Sequence, residues 1–245
     1  MQVTYLGFPG STGSDFIDYL ITDRILSPDE HRGHYSEQLV RLPHAFAIDY
    51  AAHTELGSVS RADVDLPEDA FVFCSFNAGH KIEPATFARW MRILGRVPGA
   101  VLWLCPGNPA AAENLRREAE KRGVGGSRLL FARRLPYADN LARLPLADLV
   151  LDTCIYNGGV TTSDALWAGV PVVTQEGSHY ASRMGSSILR STGLPELVAP
   201  TLDQYEAIAI ELAGDPDRLA ALRRRLLAKR GERRPVQPGS SGRRA

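Results

Sequence analysis

The sequence predicts an α/β protein built on a parallel sheet covered on both faces. Short apolar runs with little polar alternation recur along the chain, as strands buried on both sides require. Amphipathic stretches separate these runs, which gives the β-α-β-α rhythm of parallel crossovers. The 245 residues suffice for one large domain or two small ones.

In chain order, buried strands are read at FVFCSF (71–76), AVLWLC (100–105), RLLFA (128–132), DLVLDT (148–153), VPVVTQ (170–175) and ELVAP (196–200). PATFARWMRILGRV (84–97) reads as a helix because Phe87, Trp90, Met91 and Leu94 fall on one face. PAAAENLRREAEKRG (109–123) reads as a charged outer helix and LPYADNLARL (135–144) as a short one. TTSDALWAG (161–169), SHYASRMGSSILRSTG (178–193) and LDQYEAIAIELAG (202–214) complete the helical pattern. The first sixty or so residues hold too few strands for a sheet with its own core, and read as the end of a domain whose beginning is missing. The stretch from Asp49 to Glu68 is polar and irregular, and reads as a linker.

Composition narrows the classes. Hydrophobic residues make up 44% and charged residues 23%, as in ordinary globular proteins. No run is long enough to span a membrane, and MQVTYLGFPG lacks the pattern of a secretory signal. Cys74, Cys105 and Cys154 lie at or near the ends of apolar runs, without a C-x-x-C, and read as reduced core residues of a cytoplasmic protein. Of 28 Lys/Arg and 28 Asp/Glu, nine basic residues and one acid lie from Arg223 onward, so the body carries 19 against 27. An acidic body argues against a nucleic-acid surface. The basic tail, without aromatic residues or periodicity, reads as a solvated disordered end.

In open parallel sheets ligands sit at the carboxyl ends of the strands. That rule selects two loops, Asn77-Ala78-Gly79-His80-Lys81 and Asn157 to Asp164. Lys81 stands where a lysine can neutralise a diphosphate leaving group; the plain alternative is a solvated lysine. In YNGGVTTSDALWAG, Gly158 and Gly159 permit close backbone approach. The N–H groups of Val160, Thr161 and Thr162 then open a helix whose positive end favours phosphate. The hydroxyls of Thr161 and Thr162 add donors, and Asp164 is placed to accept from a ribose diol. The alternative is an ordinary Thr-capped helix with Asp164 complementing its dipole. No P-loop, G-x-G-x-x-G fingerprint or zinc spacing is present; Gly7, Gly10 and Gly13 are spaced G-x-x-G-x-x-G. Asp63-Val64-Asp65 imitates an Asp-x-Asp metal pair, but in a polar linker rather than at a strand end, so no metal is assigned.

LGFPGSTGSDFIDYLITD, YSEQLVRLPH, FCSFNAGHKIEP, VLWLC, LADLVLDTCIYNGG and TTSDALWAGVPVVT, in that order, resemble the catalytic region of O-linked N-acetylglucosaminyltransferases, from about Gln2 to Arg223. The resemblance implies a Rossmann-like donor lobe of a metal-independent GT-B glycosyltransferase, with a remnant of the N-terminal lobe. It implies an incomplete first lobe over 1–48, a linker over 49–68, a UDP-sugar-binding unit over 69–222 and the basic tail over 223–245. The implied reaction transfers N-acetylglucosamine from UDP-GlcNAc to Ser or Thr of an acceptor protein or peptide, without a cofactor. Lys81 matches the family's lysine on the donor diphosphate, Asn77 the asparagine of that loop, Thr161 and Thr162 the phosphate-binding helix start, and Asp164 the ribose carboxylate. Leu6, Gly7 and Pro9 match a loop near the sugar. Tyr156 and Asn157 fall where the family lines the sugar pocket.

Gly159 and Val160 replace a His-Thr pair of the animal enzymes. Tyr137 and Asn140 replace a uracil-contacting lysine and histidine, with Tyr137 able to stack on the base. Ala78 replaces a glutamine. The family's proposed acid/base histidines belong to first-lobe sequence ahead of Met1, and GERRPVQPGSSGRRA reads as a truncated or frame-shifted end. With half of a two-lobed cleft missing, this chain alone is expected to be inactive or very weak. A non-catalytic nucleotide-binding or protein-interaction module is the alternative from another class.

Overall fold

The computed structural model describes residues 1–43 and 57–232, with side chains as far as Arg230. Residues 49–56 of the expected linker, and its boundary at 48, lie outside the described residues. The larger unit is a six-stranded, all-parallel sheet in the order β6-β5-β4-β7-β8-β9. Its strands are β4 (Val72–Ser75), β5 (Val101–Leu104), β6 (Leu129–Phe131), β7 (Leu149–Leu151), β8 (Val172–Gln175) and β9 (Val198–Ala199). Every residue of β4, β5 and β7 is buried, which is why these runs carry no polar alternation.

The crossover helices start where the local chemistry dictates. α1 (Pro84–Arg96) has proline at its first position, and the Glu83 carboxylate accepts from Thr86 N and Ala85 N. Its apolar face buries Phe87, Trp90, Met91, Ile93 and Leu94. α2 (Pro109–Glu120) repeats the arrangement with Asn108 as cap. α3 (Tyr137–Arg143), α4 (Val160–Trp167), α5 (Met184–Ser191) and α6 (Leu202–Gly214) follow. Trp90 Nε1 donates to Tyr205 Oη at 2.9 Å, and Tyr205 Oη donates to the Asp152 carbonyl at 2.9 Å. Two helices are thereby tied to the end of β7.

The first piece forms a three-stranded parallel sheet, β1 (Val3–Thr4), β2 (Tyr19–Asp23) and β3 (Gln38–Leu42), in the order β1-β2-β3. It has little core of its own: Leu26 is buried together with Tyr180 of the larger unit, beside Leu6, Tyr35, Leu42 and Met184. Ser187 of α5 donates to Asp23 at 2.6 Å, and Arg183 Nε donates to the Ile25 carbonyl at 2.5 Å.

Residues 223–232 of the expected tail lie in a helix, and residues 233–245 lie outside the described residues. α7 spans Pro216–Glu232, ten residues past the boundary at 222. Leu219, Leu222 and Leu226 are buried at helical spacing. The cations have work inside the fold. Arg223 donates to the Ala147 and Asp148 carbonyls, and Arg225 donates to Gly193 O at 2.6 Å and pairs with Glu196. Lys229 donates to Thr192 O at 2.5 Å, just beyond the C-terminus of α5. Arg230 lies 4.9 Å from the Trp167 ring centroid.

Candidate functional site

The strand order reverses between β4 and β7: the chain leaves β4 toward β5 and β6, then returns to β7 and proceeds through β8 and β9. A crevice opens outside the carboxyl ends of the strands at such a switch point. Here it is a cavity of about 940 Å³. Leu6, Gly7, Asn77, Lys81, Tyr156, Gly159, Val160 and Thr161 line it, so eight of the residues expected from the sequence converge on one place. Leu6 takes a left-handed backbone, φ 61°, unusual for a branched residue and a local strain at the cavity wall.

Sequence reasoning missed Asp152. It follows β7 directly and is 1% exposed. Its Oδ1 accepts from Asn77 Nδ2 at 3.0 Å, Thr153 N at 2.9 Å and Gly158 N at 2.7 Å. Its Oδ2 accepts from Thr174 Oγ1 on β8 at 2.7 Å. Burial raises its pKa to about 6, with the hydrogen bonds from Gly158, Thr174, Asn77 and Thr153 opposing the rise. The only signal in the sequence was a carboxylate placed at the end of an apolar strand.

Lys81 ends a short 3-10 turn, Gly79–Lys81, after β4. Its Nζ donates to Asn157 O at 3.0 Å and stands 3.8 Å from the Tyr156 ring centroid. Burial lowers its pKa, and the charge of Asp152 works against that fall. Lys81 is therefore a held cation in the cavity wall, unlike a freely solvated lysine.

α4 brings its N-terminus to the same cavity. Its first helical hydrogen bond runs from Ser163 N to Gly159 O at 3.0 Å, so the N–H groups of Val160, Thr161 and Thr162 precede the ladder. The Thr161 hydroxyl is already committed. Asn77 must turn its amide nitrogen to the Asp152 carboxylate, so its oxygen faces Thr161 and receives that hydroxyl at 2.6 Å. What Thr161 offers an anion in this arrangement is its backbone N–H. Gly158 is also explained differently from the sequence expectation. A Cβ there would meet Thr161 Oγ1 and Thr162 Oγ1 at 2.5 Å and Asn77 Oδ1 at 3.0 Å. Internal crowding, rather than an approaching ligand, demands this glycine. At Gly159 a Cβ would meet the Met184 methyl at 2.7 Å, the far end of a flexible side chain.

Other expected residues are placed elsewhere or turned inward. Asn157 is 0% exposed. Its Nδ2 donates to Thr153 O at 2.6 Å, and its Oδ1 accepts from Gly185 N at 3.2 Å. It fastens the loop from behind. Thr162, on α4, is buried. Asp164 is buried and accepts from Tyr137 Oη at 2.8 Å, which joins α3 to α4. Tyr137 is 40% exposed. The Asn140 oxygen is taken by Arg143, at 3.1 Å from Nε and 2.6 Å from Nη2. Pro9 lines a neighbouring cavity with His31, His34 and His179. Cys74 and Cys154 are buried free thiols, whereas Cys105 is half-buried in the wall of the main cavity.

Among the described residues no cluster of His, Cys, Asp or Glu could hold a metal ion. Asp63 instead accepts from Ser60 N at 2.8 Å and Ser60 Oγ at 2.6 Å. Among the described residues no helix is long and apolar enough to cross a membrane.

Comparison with known proteins places this geometry in context. The profile of glycosyl transferase family 41 matches residues 1–56 and 47–236. A probable UDP-N-acetylglucosamine–peptide N-acetylglucosaminyltransferase of Arabidopsis thaliana is 38% identical over 237 residues, covering 94% of this chain and 24% of the relative. The corresponding Caenorhabditis elegans transferase is 42% identical over 164 residues, covering 67% of this chain and 14% of the relative. The chain thus spans about a quarter or less of the length of these curated relatives. Among solved structures, an O-GlcNAc transferase mutant from Thermobaculum terrenum superposes with a TM-score of 0.85 at 38% identity, covering 94% of this chain and 44% of that one.

Proposed function

Because the chain belongs to glycosyl transferase family 41, we propose that it forms the donor side of an enzyme transferring N-acetylglucosamine from UDP-GlcNAc to a protein Ser or Thr. One observation carries this reading: the Lys81 ammonium and the N-terminus of α4 converge on one cavity at the topological switch point. Both present positive charge where a diphosphate leaves. The nucleophile is the acceptor hydroxyl. As its oxygen bonds to the anomeric carbon and its proton passes to solvent, the bond to the UDP oxygen breaks, and the charge left on UDP meets Lys81 and the amides of Val160 to Thr162. In this reading these groups take the place of a divalent cation. Tyr137, held by Asp164, stacks on uracil, and Tyr156 with Leu6 and Gly7 borders the sugar. Asn157, Gly158 and Thr162 support the site from behind. The donor unit is proposed to run from residue 69 to the end of α7 at Glu232, with residues 1–48 as the end of the other lobe and 49–68 as the linker. Free thiols suit the reducing cytoplasm.

Calorimetric titration of the chain with UDP tests the reading. Binding is expected, and Lys81→Ala should weaken it by at least about tenfold, as loss of a buried charged contact does. No binding at millimolar UDP would overturn it. Competition by UDP-GlcNAc against UDP-glucose then reports the sugar preference.

A further inference from the structure

The peptide group between Asn157 and Gly158 is held at both ends by charge. Its carbonyl accepts from Lys81 Nζ at 3.0 Å, and its N–H donates to Asp152 Oδ1 at 2.7 Å. One amide therefore lies between a carboxylate and an ammonium, with its dipole favourable to both. Hydrogen bonds in such a chain polarise one another. The same Oδ1 takes Asn77 Nδ2, and Asn77 Oδ1 takes the Thr161 hydroxyl. Two relays thus leave one buried oxygen, one ending on Lys81 and the other on the start of α4.

We propose that Asp152 is a positioning residue of the donor site. It fixes the charge and orientation of Lys81 through the Asn157–Gly158 amide, and the orientation of Thr161 through Asn77. The consequence for donor binding rests on the function proposed above, whereas the coupling between Asp152 and Lys81 rests on the geometry alone. The groups around the carboxylate support the assignment. Thr174 faces it from β8, Tyr205 from α6, Cys154 from its own loop and Lys81 from the loop after β4. Lys81 is the cation of that set, and among the described residues no Lys or Arg forms an ion pair with Asp152. The amide spans the gap that a direct ion pair would close. α5 makes room for the arrangement, since a Cβ on Gly185 would collide with Asp152 Oδ2 and Thr174.

Asp152→Asn tests the proposal because it keeps the shape. The amide oxygen can accept the three bonds that Oδ1 accepts, and its nitrogen can donate to Thr174. What disappears is the charge. Carbon-13 NMR of the Lys81 Cε in the unliganded chain should show its titration moving to lower pH. UDP affinity, measured by calorimetry, should fall about tenfold near pH 10 and little near pH 7, as Lys81 loses its proton earlier. A merely structural role would lower stability without moving either titration. An unmoved Lys81 titration overturns the proposal. So does a loss of UDP affinity from Asp152→Asn that is equally large in a Lys81→Met background. If Asp152→Asn does not fold, the reciprocal measurement decides. By linkage the Asp152 carboxyl titration, followed by carbon-13 NMR, should move to higher pH in Lys81→Met; an unmoved Asp152 titration overturns the proposal. Absence of UDP binding by the unaltered chain would refute the donor reading alone, since the Lys81 titration still decides the coupling.

Discussion

Gly158→Ala separates two reasons for a glycine at the cavity. If the residue is small so that a ligand can approach, alanine should leave stability intact and impair binding only. The geometry gives a different expectation. The added methyl would sit 2.5 Å from both threonine hydroxyl oxygens and 3.0 Å from Asn77 Oδ1. Neither threonine can swing away freely, because Thr161 is bonded to Asn77 and Thr162 is buried. Overpacking of this kind costs about 1–3 kcal/mol. Displacing the Thr161 hydroxyl from Asn77 adds about 1 kcal/mol. The total expected is about 2–4 kcal/mol of stability, with UDP affinity falling in parallel. Gly159→Ala is the internal control. Its methyl meets only the tip of Met184, which has three rotatable bonds, so its cost should stay near 1 kcal/mol. Urea denaturation of both variants, with m-values compared to confirm the same unfolding transition, measures the difference. Gly158→Ala within about 0.5 kcal/mol of the unaltered chain, or no costlier than Gly159→Ala, would refute the reasoning.

Deleting residues 223–245 should cost about 3 kcal/mol or more, since Leu226 loses its burial and Arg223 its carbonyls; an unchanged thermal midpoint would show that this segment does not pack. Tyr205→Phe should cost about 1–3 kcal/mol by leaving Trp90 Nε1 and the Asp152 carbonyl without partners, as chemical denaturation would report. Stability should also depend on pH in two windows of opposite sign. Asp152, raised from 3.8 to about 6, holds in the folded state a proton that the unfolded chain has released. Its contribution therefore falls as pH rises from about 4 to about 6, by up to about 3 kcal/mol, and Asp152→Asn should abolish that slope. Glu37 goes the other way. Burial pushes its pKa up, but hydrogen bonds from Thr12 and Ser11 outweigh this and hold it at about 2, below 4.5. Its contribution is present above about pH 4.5 and is lost as pH falls toward about 2, so Glu37→Gln should flatten the acid limb of a thermal-melt series.

The strands were legible because burial on both faces leaves an unmistakable apolar run, as at β4, β5 and β7. The two functional loops followed from the same rhythm and the rule for parallel sheets. Periodicity also spaced Leu219, Leu222 and Leu226, yet the run of arginines around them read as a solvated tail. Those cations are satisfied by carbonyls of residues tens of positions away, such as Ala147 and Gly193, and no local pattern records that. Asn157 was read as facing the sugar and Asp152 was missed for the same reason. Their polar groups are accounted for by partners that only the folded sheet brings near, Gly185 for one and Asn77, 75 residues away, for the other. Asn140 was read as facing a base, but Arg143 three residues later takes its oxygen, a helical neighbour that spacing alone could have suggested.

The hydrogen-bonded line from Trp90 through Tyr205 to the end of β7 has a practical side. It places an ultraviolet chromophore two hydrogen bonds from the residue that bears the buried carboxylate. The indole is fully buried, which shields it from quenchers in water. The other two of the three tryptophans have different neighbours, Trp103 against Phe76 and Trp167 under Arg230. With those two replaced by phenylalanine, Trp90 becomes an optical gauge of the strand end, readable at micromolar concentration without a label.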